Sequence, residues 1–332
     1  MAPPSALTPR HKTLLASAVS GAFFDAYHDL LDSLDALALS DEFAFGTIDL
    51  GLTGAQRTML ADRGAIIVTP AWPISPPSRQ NRIEHLAHVA RPFANRIFPG
   101  YSRYVWMDAD MWLQDAGAWT ALIEGADAIG MAAPSEDSPA YGPVPWPEHF
   151  WLMRRLLRAY GPMTMLRLMN RPMINSGMFA LRGDAPQWQQ WQQETHRVVR
   201  RTDRAIAADQ IALFRLVHDA RMKVSLLAPR HNWICSRALP VWDDRRAVFV
   251  TPQEPAAVIT VMHNTTPSRH RRFSVATTSG QQLEMFLHRP AGHVEQALLG
   301  QDRAVSRPGT QAVPCAAKAP AESATARPAS AA

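Results

Sequence analysis

"RYVWMDADMW", residues 103–112, sets an apolar run against two acids. Tyr104, Val105, Trp106 and Met107 read as a buried strand, and Asp108 and Asp110 follow with only Ala109 between them. Burying a carboxylate is costly unless it is paired or metal-bound. Ligands of open α/β sheets gather at the carboxyl ends of the strands, so a core strand that ends on two acids marks such an edge. Alternate residues of an extended chain point to one side, which would present both carboxylates together. Like charges held close raise each other's pKa unless a cation neutralises them. A divalent ion that prefers oxygen ligands, magnesium or manganese, meets that need. The plain alternative is a turn or a solvated strand end, and the pair alone leaves it open.

Outward from this stretch, strand-like and helix-like segments alternate from about residue 12 to about residue 285, the pattern of an α/β fold. "KTLLASAV" (12–19), "EFAFGTIDL" (42–50) and "AIIVTP" (65–70) read as strands. Helical patterns run through "FDAYHDLLDSLDAL" (24–37), "TGAQRTMLADRG" (53–64, closed by Gly64) and "NRIEHLAHVARPFANRIF" (81–98). Residues 134–147 are rich in Pro, Gly and Ser and read as a long loop. The stretch 148–173 predicts one or two helices with Arg154, Arg155, Arg158 and Arg167 on an outer face. "INSGMFAL" (174–181) reads as a strand, "APQWQQWQQETHRVVRR" (185–201) as a helix capped by Asp184, and "ADQIALFRLVHD" (208–219) as a helix. "KVSLLAP" (223–229) and "AAVITVMHN" (256–264) are late strands. The expected organisation is an extension over residues 1–11, one α/β domain over 12–290 with a helical insert at about 148–171, and a tail over 291–332. That tail is Ala/Pro/Ser-rich and is expected to be disordered.

Composition excludes several classes. The chain is 47% hydrophobic and 19% charged, as in ordinary globular proteins. Its formal net charge of +5 is modest for 332 residues, and its arginines are scattered apart from short groups near 154–158, 197–204 and 269–272, whereas a nucleic-acid binder clusters its excess charge. No nucleic-acid partner is expected. Two cysteines, Cys235 and Cys315, exclude a disulfide framework and a Cys-rich zinc site. "MAPPSALTPRHK" lacks a signal-peptide core and "LLASAVSGAFF" is too short to span a bilayer. A cytoplasmic protein is the expectation, with membrane contact only peripheral.

Other polar residues interrupt apolar runs. Asn175, Ser176 and Gly177 sit inside an otherwise apolar segment. Gly in a strand often marks close approach of a ligand, and Asn offers both a donor and an acceptor to a hydroxyl-rich partner; the plain reading is a bulge. Asp209-Gln210 opens a helix, where an N-cap is the ordinary explanation. "VITVMHNTTPSRHRRF" (258–273) ends an apolar strand on His263 and follows it with a basic cluster. That suits a third metal ligand with phosphate clamps.

Taken in order, these pieces resemble the nucleotide-sugar glycosyltransferases of GT-A fold, most closely glycosyltransferase family 8. "VWMDADMWLQD", "INSGMFAL", "ADQIAL" and "HNTTPSR" follow the family's order, and Arg91, seventeen residues before Asp108, stands where the family has an arginine. The resemblance covers residues from about 12 to about 273 and implies a single Rossmann-like GT-A domain with a mostly parallel sheet. It implies a retaining, metal-dependent hexosyltransferase using a UDP-sugar donor and a carbohydrate or glycolipid acceptor, in bacterial polysaccharide or glycolipid synthesis. By position, Asp108, Asp110 and His263 would hold manganese or magnesium. Ala16 and Ser17 would contact the base, Arg91 the donor sugar or a phosphate, and Asn175, Ser176 and Gly177 the donor-sugar pocket. Asp209 would hold sugar hydroxyls, Gln210 would lie under the anomeric carbon, and Arg269 would contact a phosphate. The final family motif, HxxGxxK, is altered, with Thr266 in place of its glycine and Arg269 in place of its lysine. Three rival readings stand: a non-catalytic nucleotide-sugar-binding relative, a metal-dependent nucleotide-diphosphate hydrolase, and a nucleic-acid or membrane-binding module built on the arginine-bearing helices.

Overall fold

The computed structural model describes residues 11–75, 82–143, 145–265 and 270–289. The expected terminal tail, most of the N-terminal extension, Thr266 and Arg269 lie outside the described residues.

Fourteen strands are described: β1 (Thr13–Val19), β2 (Ala44–Asp49), β3 (Ile66–Val68), β4 (Arg103–Met107), β5 (Met111–Leu113), β6 (Met131–Pro134), β7 (Met178–Arg182), β8 (Ser225–Leu227), β9 (Trp233–Ile234), β10 (Val241–Asp243), β11 (Val248–Val250), β12 (Val261–His263), β13 (Phe273–Ala276) and β14 (Gln282–Met285). Seven of them form one sheet in the order β3-β2-β1-β4-β7-β6-β8. All run parallel except β7, which is antiparallel to both neighbours. The expected α/β class with a mostly parallel central sheet is borne out.

A sheet covered on both faces needs strands that are apolar throughout. In β1, Leu14 and Ala16 enter one core cluster while Leu15 and Val19 enter the other. In β4, Tyr104 and Trp106 join the first cluster, and Val105 and Met107 the second. The helix Phe24–Ala36 covers the second face through Tyr27, Leu30, Leu31 and Leu34. Helices Gln187–Thr202 and Ala208–His218 cover the first. A smaller sheet, β5-β12-β9, pairs His263 with Met111 and Ile234. It brings a late strand back to the end of β4.

Several local expectations needed correction. The helix expected over 81–98 is a chain of short turns, Ile83–Leu86, Ala87–Ala90, Arg91–Phe93 and Ala94–Ile97. Pro92, which has no N–H to donate and crowds the preceding turn, sits in the middle of it. Asp184 does not cap the helix Gln187–Thr202, whose N-cap is Pro186; it accepts instead from Arg182 Nε at 3.1 Å. The insert is two helices, Trp146–Tyr160 and Pro162–Leu168, parted at Gly161, which has φ +84°. Arg155 points inward rather than out, buried and donating to the Ile206 carbonyl. No described helix is long and apolar enough to cross a membrane.

Candidate active site

The strand β4 ends at Met107, and the chain then turns. Met111 N donates to the Asp108 carbonyl at 3.3 Å, closing a tight turn around Ala109 and Asp110. The two carboxylates are therefore brought together by a turn and not by alternation along an extended strand, as the spacing had suggested. Asp110 O accepts from Asn264 N at 2.8 Å, which fixes the exit of β12 against this turn. As a result one ligand atom each from Asp108, Asp110 and His263 lies within 4.8 Å of the others.

The imidazole is prepared for a ligand's task. His263 Nδ1 lies 3.0 Å from Asn232 Oδ1, so it carries the hydrogen and donates. Nε2 then faces Asp110 Oδ1 at 3.3 Å. A hydrogen bond to one ring nitrogen fixes which nitrogen meets a metal. Burial disfavours the protonated ring, but Asp110 and Asp108 outweigh it, and the pKa is raised above its ordinary 6.5. The set, two carboxylate oxygens and one imidazole nitrogen, fits a divalent ion that accepts oxygen together with nitrogen.

Arg91 organises the carboxylates. Its Nε and Nη2 both donate to Asp108, at 2.7–3.1 Å. Nη1 donates to Asp209 Oδ2 at 2.8 Å and meets His88 Nδ1 at 3.3 Å. Burial and the neighbouring guanidinium push His88 down to about 3, so it is neutral and accepts. Trp106 Nε1 adds a fourth bond to Asp108, 2.8 Å to Oδ1. The guanidinium is buried with its donors turned to protein groups. In this arrangement Arg91 bridges two acids, Asp108 and Asp209.

Asp209 lies deeper than the other acids of this edge. It is 0% exposed; burial raises its pKa and Arg91 opposes that shift. Its Oδ2 accepts from Arg91, so it supports that guanidinium. It gets there because Ala207, at φ +52° in the left-handed region, swings the chain into the helix Ala208–His218. Few non-glycine residues hold that conformation, and those that do cluster at functional sites.

The carboxylate that sequence reasoning missed is Glu136. Its Oε1 accepts from Asn175 Nδ2 at 3.0 Å and from Gln210 Nε2 at 3.2 Å. It is partly exposed, yet desolvation raises its pKa, with Asn175 and Arg237 opposing. The missed signal was "MAAPSE": an apolar run, β6, followed one residue later by an acid, much as Asp108 follows β4. The surrounding Pro and Ser disguised it as plain loop.

Asn175, Ser176 and Gly177 precede β7 and are not inside a strand as expected. Because β7 runs opposite to its neighbours, this entry segment lies at the same sheet edge as the exits of β4 and β6. Asn175 Oδ1 accepts from Gly177 N at 2.9 Å, and Asp108 N donates to Gly177 O at 2.8 Å. A Cβ on Gly177 would stand 2.5 Å from Asp108 Oδ2, so only glycine leaves this carboxylate room. Ala16 and Ser17 are both 0% exposed. Ala16 packs in the cluster that holds Trp106, and Ser17 lies on the other face beside Tyr27. Neither side chain opens to this edge. The structure thus joins Arg91, Asp108, Asp110, Asn175, Gly177, Asp209, Gln210 and His263, with Ser176 buried beside them, and leaves Ala16 and Ser17 in the sheet.

No protein-family model and no curated protein matches the chain. Among solved structures it is similar to galactosyltransferase LgtC in complex with donor and acceptor sugar analogs. The identity is 15% and the TM-score 0.48, over 78% of this chain and 90% of that one. Mouse xyloside xylosyltransferase 1, apo form, gives 13% identity and a TM-score of 0.49, over 77% and 98%. Core-mannan synthase A from Aspergillus fumigatus, in a Mn/GDP form, gives 13% and 0.41, over 69% and 75%. These likenesses are distant in sequence and below 0.5 in TM-score, and the functional reading rests on the side chains described above.

Proposed function

We propose that this chain is a metal-dependent, retaining glycosyltransferase of GT-A type, moving a hexose from a UDP-sugar to the hydroxyl of a carbohydrate or glycolipid acceptor, in bacterial polysaccharide or glycolipid synthesis. The observation that carries the reading is one edge of the sheet with two different walls. Asp108, Asp110 and His263 cluster closely enough to hold a cation. Beside it, Asn175, Glu136 and Gln210 form a hydrogen-bonded polar wall suited to hydroxyl groups. A simple diphosphate hydrolase needs the first and has no use for the second.

Asp108, Asp110 and His263 would hold the ion, with manganese favoured because an imidazole sits among the oxygens. When bound, it would supply charge neutralisation to a departing diphosphate. Arg91, pinned between Asp108 and Asp209, keeps the first ligand oriented. Gln210 spends an N–H on Glu136 and offers its amide oxygen to the sugar. In front-face transfer the bond from the anomeric carbon to the phosphate oxygen breaks while the acceptor oxygen bonds to that carbon, and the acceptor's proton passes to the leaving phosphate. Asp209, enclosed and held by Arg91, is no nucleophile. A double displacement would have to use Glu136.

Calorimetric titration of UDP and several UDP-sugars, with manganese and with chelator, tests the donor site. Manganese-dependent binding lost in Asp110→Ala is expected, and absence of binding under both conditions would overturn the assignment. Product analysis of Glu136→Gln tests the chemistry. Residual turnover with retained configuration agrees with front-face transfer; complete loss with wild-type donor affinity points to a covalent intermediate on Glu136.

A further inference from the structure

The helix Trp146–Tyr160 has two apolar faces. Leu152, Leu156 and Ala159 are buried against the domain. On the other side, Trp146, Phe150 and Leu157 share one stripe at helical spacing, and they are 72%, 55% and 45% exposed. Trp151 is 43% exposed on a neighbouring face, with the Arg155 guanidinium over its ring, and Met163 and Leu166 of the next helix are 67% and 58% exposed. Six of the thirteen large hydrophobic side chains exposed among the described residues thus fall within 146–166. Scattered apolar side chains are normal on a surface, whereas a concentration of this kind marks an interaction site.

Charge narrows the choice of partner. Residues 146–171 carry five arginines against one glutamate. Arg154 and Arg158 are exposed and adjoin the apolar stripe. Arg155 is spent inside on the Ile206 carbonyl, and Arg167 pairs with Asp219 at 3.1 Å. A second copy of the chain docked through the same patch would bring like charges face to face, since a two-fold contact meets itself. Trp, Phe, Met and Leu tips with arginines at their flank suit a surface that is apolar beneath and negative on top.

We propose that the hairpin 146–168 docks on an anionic lipid surface, with Trp146, Phe150 and Met163 entering the acyl boundary and Arg154 and Arg158 meeting headgroup phosphates. The hairpin is tied to the candidate active site from both sides. Arg155 grips the carbonyl just ahead of the segment carrying Asp209 and Gln210, and Glu148 faces Arg237 at 3.9 Å. Docking therefore holds that wall of the site at the bilayer. If the proposed transfer reaction is correct, this favours an acceptor that is itself lipid-linked; the docking surface stands without it.

The test is flotation of the full chain with vesicles of phosphatidylcholine alone, or with phosphatidylglycerol added, in the absence of nucleotide. Binding to the anionic vesicles, weakened by salt, is expected. The variant carrying Trp146→Ser, Phe150→Ser and Met163→Ser should lose at least about a hundredfold in partitioning, because each buried side chain contributes to it. Arg154→Gln with Arg158→Gln should lose about fivefold per residue at low salt. Circular dichroism and manganese-dependent UDP binding should remain as in the wild type in both, which separates failure of this surface from failure of the donor site. Equal flotation of wild type and triple variant would overturn the proposal, as would no flotation on either vesicle. So would self-association, or binding to RNA, that the same triple substitution abolishes while vesicle binding persists.

Discussion

Replacing Gly177 with alanine adds one carbon where the site has no room. The new Cβ would lie 2.5 Å from Asp108 Oδ2 and 2.9 Å from Asn175 Oδ1, against 3.4 Å or more for ordinary contact. Asp108 has no easy retreat, since Arg91 and Trp106 both hold its side chain and its own backbone N–H is bonded to Gly177. Forcing an extra carbon into such packing costs about 1–3 kcal/mol. Displacing a metal ligand through its supports costs about 10–100-fold in affinity. Calorimetric titration of manganese into Gly177→Ala should therefore show at least a tenfold weaker site, about 1.4 kcal/mol, in a protein that still melts cooperatively. Gly54→Ala is the control: nothing stands within 4 Å of the Cβ it would gain, it opens a helix, and its effect should stay within about 1 kcal/mol. Wild-type manganese affinity in Gly177→Ala would refute the placement of Asp108 as a ligand.

Other perturbations follow from the same geometry. Arg91→Met removes the shared cation from a buried carboxylate, Asp209, and a half-buried one, Asp108, and should cost about 3 kcal/mol in urea unfolding; a loss under about 1 kcal/mol would show the pairing to be idle. Asn232→Ala frees the His263 ring and should weaken manganese binding about 10–100-fold without changing the far-ultraviolet spectrum. Glu136 titrates higher in the fold than in the unfolded chain because it is desolvated. Folding therefore favours its proton, and ionising it costs stability; that cost is absent below its ordinary 4.5 and complete once pH passes the raised folded value. Glu136→Gln should then melt above wild type at neutral pH, with the gap closing as pH falls toward 4.5; a constant gap across that range would contradict the desolvation of this carboxyl. Ala207→Gly should relieve left-handed strain and stabilise by about 1 kcal/mol, read in the same unfolding assay.

Much of this was legible in the chain, for reasons that differ by residue. β1 and β4 declare themselves because a strand covered on both faces must be apolar throughout, and Asp108 stands out because it ends such a run. Asn175 and Gln210 were found as polar intrusions, and His263 as the end of a late apolar strand. What stayed hidden depends on partners far away in sequence. Nothing near Arg91 says that its donors go to Asp108 and Asp209, seventeen and 118 residues on. Asp209 reads as a helix-start acid, and only the fold shows it sealed inside. The short strands β9 to β11 and the helix Gly117–Ile129 escaped because two or three residues carry no period, and because an Ala- and Gly-rich helix has a weak one.

The reversed direction of β7 has a consequence for how this protein can vary. The chain leaves the ligand edge after β6 and must return to that same edge to enter β7. Everything between, residues 137–173 with both helices of the hairpin, is a cassette plugged in by two adjacent feet. So long as its buried residues, Leu152, Leu156 and Ala159, and the Arg155 bond to the Ile206 carbonyl are kept, its exposed face can change without altering the register of any strand. A chimaera exchanging only this cassette for that of another such protein should keep its cation and nucleotide affinity and take on the donor cassette's choice of surface and acceptor.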